Sequence, residues 1–154
     1  MFRTGLAALF VIVLLGFSAS CRRSKVVPVP KAQSTAPAAE SKLTGVEWQL
    51  VDLEGKSVRD HVPSTLAFPQ PGRAAGSTGC NRFSGSVTIK GTDIKFGVLA
   101  TTRRACVPGV GDQEKRYMKA LSSAERFTFS DNQLLIFSRG IEKPLRFTPV
   151  SSNP

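Results

Sequence analysis

Cys80 and Cys106 stand at the two ends of a segment that reads as one β-hairpin, and this limits the possible folds more than any other feature. The runs GSVTIK and IKFGVL flank Gly91, Thr92 and Asp93, with Val87 and Ile89 on one face, the pattern of two antiparallel strands around a tight turn. Mirrored about that turn, the cysteines miss direct opposition by about two positions, an offset that one or two β-bulges absorb. Gly97 is a suitable bulge site. The cysteines are therefore expected side by side across the base of the hairpin, where a disulfide would stabilise the domain by roughly 2–4 kcal/mol. Two other readings stay open: a reactive thiol, and a pair of buried free thiols. A reactive thiol needs a lowered pKa and usually a neighbouring base. Arg82, Arg103 and Arg104 favour a thiolate but accept no proton.

Where the chain resides bears on that choice. After Arg3, the run LAALFVIVLLGF is unbroken and apolar, yet shorter than the ~20 residues of a membrane-spanning helix. Ser18, Ala19 and Ser20 then lead into Cys21, the layout of a bacterial lipoprotein signal, with Ser18 where leucine is usual. Residues 1–20 read as a signal peptide and Cys21 as the lipid attachment site; ordinary cleavage nearby and an uncleaved anchor are the alternatives. Acyl chains contribute about 0.8 kcal/mol per buried methylene, so several on one cysteine hold a protein to a bilayer without a spanning helix. Export implies an oxidising compartment, which favours the disulfide.

The text from Arg22 to Ser41, RRSKVVPVPKAQSTAPAAES, is rich in Pro, Ala, Ser and charge and has no periodic apolar residues. Residues 21–41 therefore read as anchor and flexible tether. A folded domain is expected over 42–150, and a disordered tail over 151–154. VEWQLVDL alternates Val46, Trp48, Leu50 and Asp52 on one face, and EGK supplies a turn. STLAF is a short strand ended by PQPG. RFTF, QLLIF and LRFTPV form a meander joined by Asp131-Asn132 and Arg139-Gly140. In GDQEKRYMKALSSAE, Asp112 is the expected N-cap, with Tyr117, Met118, Leu121 and Ala124 on one helical face. The expected fold is α+β and mostly β: a small conical or partly open antiparallel β-barrel with one amphipathic helix.

Enzyme chemistry finds little support. One histidine, His61, in the loop-like RDHVPS, cannot build a metal cluster or a Ser/His/Asp arrangement around several imidazoles. No catalytic residues, metal or cofactor are expected. From Lys42 onward, sixteen Lys and Arg face ten Asp and Glu, a basic but not extreme domain. For an exported, tethered chain the nearest polyanions are phospholipid headgroups and lipopolysaccharide, so no nucleic-acid partner is expected. The alternating Phe127, Phe129, Phe137 and Phe147 read as core rather than as a base-stacking platform.

With these spacings assembled, the chain resembles the META/HslJ domain family of small bacterial envelope proteins. GVEWQLVDLEGKSV is similar to the family's opening Gly-x-x-Trp-x-Leu strand. GSTGCNRFSGS resembles its Gly-x-x-Gly-Cys-Asn-x-Phe-x-Gly signature, TRRAC its Thr-Arg-Met-Ala-Cys, and EKRYMKAL its helix. The motif residues carried over are Gly79, Asn81, Arg82, Phe83, Gly85, Thr102, Arg103 and Ala105, beside Cys80 and Cys106. Arg104 stands where methionine is usual and Val87 where tyrosine is common. The resemblance implies a conical or cracked barrel with one helix, no established catalysis, and an association with tolerance of heat and novobiocin. Asn81 is expected to satisfy turn amides.

The functional expectation is a non-enzymatic protein, lipid-anchored through Cys21 to an envelope membrane facing the periplasm, the outer membrane first. It would contribute to stress tolerance by binding an apolar ligand, such as a lipid, or a protein partner. The alternative is an inhibitor or pilot lipoprotein acting only through a surface interface. An apolar cavity would favour the former, a filled barrel with a projecting polar loop the latter.

Overall fold

The computed structural model describes residues 36–58 and 61–150. The readings of residues 1–20 as a signal peptide, Cys21 as a lipid site, 22–35 as tether and 151–154 as a disordered tail all fall outside the described residues. The described chain begins with helix α1 (Ala36–Leu43), so the last residues read as flexible tether are helical. Its end is anchored: Leu43 is fully buried, and both the amide and the hydroxyl of Thr44 donate to the Glu40 carbonyl. Gly45, with φ +77°, turns the chain out of the helix.

In β1 (Glu47–Leu53) Trp48 and Leu50 face inward as expected. The register then shifts between Leu50 and Asp52, so Leu53 rather than Asp52 continues the buried row. Asp52 instead accepts the Gly55 amide at 2.7 Å in the turn leading to the short β2 (Lys56–Ser57). Strand β3 (Thr65–Gln70) runs on past the expected stop at Phe68. Its pairing slips between Ala67 and Gln70, and Pro69 sits in that irregularity, where no ladder amide is required. The next strand, β4 (Arg73–Ser77), has no counterpart in the expected pattern. Its small residues answer a packing demand. A Cβ on Gly76 would lie 2.1 Å from the Thr65 carbonyl oxygen and 2.8 Å from the Phe83 ring.

The central hairpin is β5 (Arg82–Lys90) and β6 (Asp93–Thr101), turning at Gly91 with φ +63°. Register moves from Val87↔Phe96 to Gly85↔Leu99, one extra residue on β6 at Gly97–Val98, at the bulge site expected from the sequence; the remaining offset of the cysteines is taken up beyond the paired strands. A Cβ on Gly97 would fall 2.2 Å from the Ser86 hydroxyl. Helix α2 (Val110–Ser122) starts before the expected cap: Gly109, at φ +82°, occupies the N-cap position and Asp112 falls in the first turn. Tyr117 and Leu121 are fully buried, whereas Ala124 already belongs to β7 (Ala124–Ser130). Strands β8 (Gln133–Ser138) and β9 (Leu145–Pro149) complete the meander, with left-handed Asp131 and Asn132 at the β7–β8 turn. Phe127 and Phe147 are core. Phe137 corrects the expectation, because its side chain is outside, covered by the Arg126 guanidinium 4.6 Å above its ring.

β1 and β3 to β9 form an eight-stranded antiparallel barrel closed by β1–β9 pairing, with β2 added beside β1. The partly open alternative is replaced by closure, although β6 and β7 are paired only at Asp93↔Arg126. The interior is filled by Leu50, Leu66, Phe83, Ile94, Phe127, Ile136 and Phe147, each contributing about 1.5–3 kcal/mol by leaving water. The two helices serve opposite ends. Tyr117 of α2 donates to the Thr65 carbonyl at the start of β3 and packs on Phe83 and Phe147. Thr44, just past α1, bridges to Phe68 further along the same strand. Burial pushes the Tyr117 phenol well above its ordinary pKa, so it stays a neutral donor at the floor of the barrel.

Candidate functional site

The GCNRF stretch runs from the turn after β4 into the start of β5, at the α2 end. Thr78 and Asn81 close the turn on themselves: the Thr78 amide donates to the Asn81 carbonyl at 2.7 Å, and the Asn81 amide donates to the Thr78 hydroxyl oxygen at 2.9 Å. Gly79 has φ +91°, and a Cβ there would lie 2.4 Å from a Val62 methyl, so the turn needs glycine on both counts. Gly85 is equally constrained, its would-be Cβ lying 2.4 Å from the Val98 carbonyl oxygen.

Asn81 is 4% exposed and uses both ends of its amide. Its Nδ2 donates to the Glu114 carboxylate at 3.0 and 3.1 Å, and its Oδ1 accepts from the Thr102 hydroxyl and the Arg104 amide, each at 2.8 Å. The Thr78 hydroxyl donates a hydrogen bond to Glu114 at 2.6 Å. Thr102 in turn accepts from the Arg82 amide at 3.1 Å and donates its own amide to the Arg82 carbonyl. One buried carboxamide thus ties together the β4–β5 turn, the loop after β6 and helix α2. The expected role of Asn81, satisfying turn amides, is taken instead by the Ser77 and Thr78 hydroxyls, which accept from the Gly79, Cys80 and Asn81 amides; the Asn81 side chain reaches the Arg104 amide in the loop after β6 and Glu114 on the helix.

Cys80 and Cys106 are joined, with S–S 2.06 Å and Cα atoms 5.8 Å apart. Their sulfurs and the Glu114 carboxylate lie within 4.8 Å of one another. Bonded to each other, the sulfurs are not thiolates, so this trio is not a metal-ligand set in the oxidised protein. The polar atoms of the motif are consumed by one another, which is the arrangement of a brace. Phe83 is buried against Tyr117, while Arg82, Arg103, Arg104 and Ala105 are exposed. Only the main chain of Arg104 enters the cluster, which explains how an arginine is accommodated there. His61 is exposed in its loop.

The other end of the barrel carries a different feature. A cleft of about 450 Å³ is lined by Lys42, Val46, Trp48, Phe129, Asp131 and Pro149, among others. Trp48 and Phe129 have ring centroids 5.8 Å apart, and the Lys42 ammonium stands 5.7 Å over the Phe129 ring. Trp48 is 4% exposed, yet its indole N–H meets no acceptor among the described residues. An unpaired buried donor of this kind costs about 1–3 kcal/mol. Sequence reasoning placed Trp48 in the core and did not assemble this cleft, whose walls come from opposite ends of the domain.

Comparison with known proteins accords with this geometry. The META domain family model matches residues 41–151. An NMR structure of a protein from Burkholderia xenovorans is 27% identical, with TM-score 0.60, over 75% of this chain and 88% of that one. A second NMR structure is 25% identical, with TM-score 0.58, over 70% of this chain and 92% of that one. A crystal structure of a duf4847 family protein from Bacteroides vulgatus ATCC 8482, 14% identical with TM-score 0.57 over 75% of this chain and 99% of that one, shares the fold. No curated protein matches. With the Cys-Asn turn, the Thr-Arg-x-Ala-Cys loop and the closing helix joined in one brace, and the family model spanning the whole barrel, the chain belongs to the META domain family.

Proposed function

We propose that this protein is a non-enzymatic, lipid-anchored component of the bacterial envelope that binds an amphiphile at the mouth of its barrel and so contributes to envelope stress tolerance. One observation carries the reading: a buried indole donor without an acceptor beside a cleft that has an aromatic wall and a cation. The interior filled by the described residues leaves no axial cavity of the kind that would favour a ligand, so the ligand reading rests on the cleft at the mouth alone. Its volume falls within the range of small-molecule sites, about 300–1,000 Å³. Val46, Trp48, Phe129 and Pro149 offer contact for an apolar body, the Lys42 ammonium offers a bond to a headgroup oxygen, and the Trp48 N–H, buried in the unliganded protein, would gain an acceptor if the indole shifted on binding. Asp131 on the same rim, accepting from the Ser130 hydroxyl at 2.9 Å, suits a zwitterionic head carrying an ammonium of its own. Catalysis plays no part in this reading, because the motif's acid, amide and sulfurs are already committed to each other.

Native mass spectrometry of the full-length product extracted from its own envelope in mild detergent tests the proposal. The expected result is a mature chain beginning at Cys21, heavier by its acyl groups, and carrying a dissociable amphiphile. An unmodified chain beginning at Met1 would remove the anchor, and a mature chain with no retained small molecule would remove the ligand.

A further inference from the structure

We infer that Cys80 and Cys106, once reduced, hold a zinc ion together with the Glu114 carboxylate, so that one brace has a covalent form and a metal-linked form. This site lies at the α2 end and does not depend on the amphiphile at the mouth.

Tetrahedral geometry sets the spacing such a site needs. Zinc bonds thiolate sulfur at about 2.3 Å and carboxylate oxygen at about 2.0–2.2 Å, which puts a sulfur and an oxygen ligand about 3.6 Å apart and two sulfurs about 3.8 Å apart. The oxidised protein already holds most of these edges. Cys106 Sγ lies 3.7 Å from Glu114 Oε2, and the Arg104 carbonyl oxygen lies 3.6 Å from Cys106 Sγ and 3.9 Å from Cys80 Sγ. Both sulfurs and the carboxylate fit within 4.8 Å of one another. Only the edge between the sulfurs must open, from 2.06 Å to about 3.8 Å, and rotation of the two side chains on Cα atoms 5.8 Å apart supplies that. The Arg104 carbonyl is then the fourth ligand.

The surroundings orient the carboxylate for this task. Asn81 Nδ2 donates to its two oxygens at 3.0 and 3.1 Å and the Thr78 hydroxyl donates to Oε2 at 2.6 Å, which leaves at least one of its roughly four lone-pair positions for a metal. Ligating carboxylates are held by partners of this kind. All three ligating side chains are half-buried, and Cys80, Cys106 and Arg104 line a surface cleft of about 230 Å³ through which an ion reaches the sulfurs. Two thiolates select zinc over the harder magnesium and calcium. With the carboxylate they leave the complex one charge negative, opposed by the exposed Arg103 and Arg104 of the same loop.

The chemistry balances with a phosphine as reductant. It cleaves the S–S bond, takes an oxygen from water as its oxide and leaves two thiols; the ion displaces both thiol protons to the buffer. The newly made chain, before oxidation, is in the same dithiol state.

The test titrates cobalt and zinc into the full-length protein in mild detergent, reduced by a phosphine in metal-free buffer. Cobalt should bind at one equivalent with thiolate-to-cobalt charge-transfer bands and tetrahedral d–d absorption, which zinc removes. Zinc at about 100 times its dissociation constant should raise the melting temperature of the reduced protein by about 10 °C and leave that of the oxidised protein in place. Cys80→Ser should abolish the charge-transfer bands, and Glu114→Gln should keep them while weakening zinc by about tenfold or more. If Glu114→Gln fails to fold, the melting shift and a titration in denaturing urea still decide. The inference is overturned if the reduced protein takes up no metal, or if either variant binds as tightly as wild type. It is also overturned if binding is equally tight in urea, which would mark simple capture by free thiols.

Discussion

Replacing Cys80 by serine is expected to cost about 3.5 kcal/mol of stability, the chain-entropy value for releasing a loop closed across a sequence separation of 26. In a domain of this size that corresponds to a fall in melting temperature on the order of 10–20 °C. The bond closes the base of the β5–β6 hairpin and fixes the loop that leads into α2, so the loss should fall on the α2 end of the barrel. Thermal melts with and without reductant check this. Wild type under reductant should melt like the variant, and the variant should be indifferent to reductant. A wild type that melts at the same temperature in both conditions would show that the sulfurs brace nothing. Neither protein should acquire or lose a turnover.

Replacing Asn81 by alanine is the second large effect. It strips the Glu114 carboxylate of two contacts and leaves the Arg104 amide and the Thr102 hydroxyl without their shared acceptor. Stranded partners of this kind cost about 1–3 kcal/mol each when buried, less where water can reach them. The loop after β6 is largely exposed, so the sum is discounted, and a loss of about 3 kcal/mol is expected. Urea midpoints measure it. The effect should not add to that of Thr102→Val, because both changes break the same bond. Full additivity, or a loss below 1 kcal/mol, would mean that Asn81 is replaceable and that the motif needs another explanation.

Much of the barrel is legible in the residues because its turns are chemically marked. Glu54-Gly55, Gly91-Thr92 and Asp131-Asn132 each signal a tight hairpin, and the structure places a left-handed residue in each. The cysteine spacing left room for one or two bulges, and one is found at Gly97–Val98. The parts that escaped are set by neighbours distant in sequence. Strand β4 looks like a loop because Arg-Ala-Ala-Gly-Ser carries no β-branched residue, and its smallness makes sense only once Thr65 and Phe83 lie against it. Phe137 has the sequence pattern of core and the position of a surface residue, stabilised by a cross-strand arginine. α1 belongs compositionally to the tether; burial of Leu43 is what orders its end. The site divides in the same way. The disulfide could be read from two letters and a turn, whereas Glu114 joins Asn81, and Lys42 and Trp48 join Phe129, only after the barrel has closed.

The claim on which the functional account depends is that binding takes place around Trp48, at the end of the barrel away from the cysteines. Trp48 is the one tryptophan in the chain, so its emission reports that place alone. The most direct measurement is a fluorescence titration of the full-length protein with 1-palmitoyl lysophosphatidylethanolamine below its critical micelle concentration, paired with calorimetry on Trp48→Phe. The account expects a saturable change in emission at one equivalent and an affinity about tenfold weaker in the phenylalanine variant, the worth of one hydrogen bond. Emission that never moves, or a Trp48→Phe protein that binds as tightly as wild type, would contradict it.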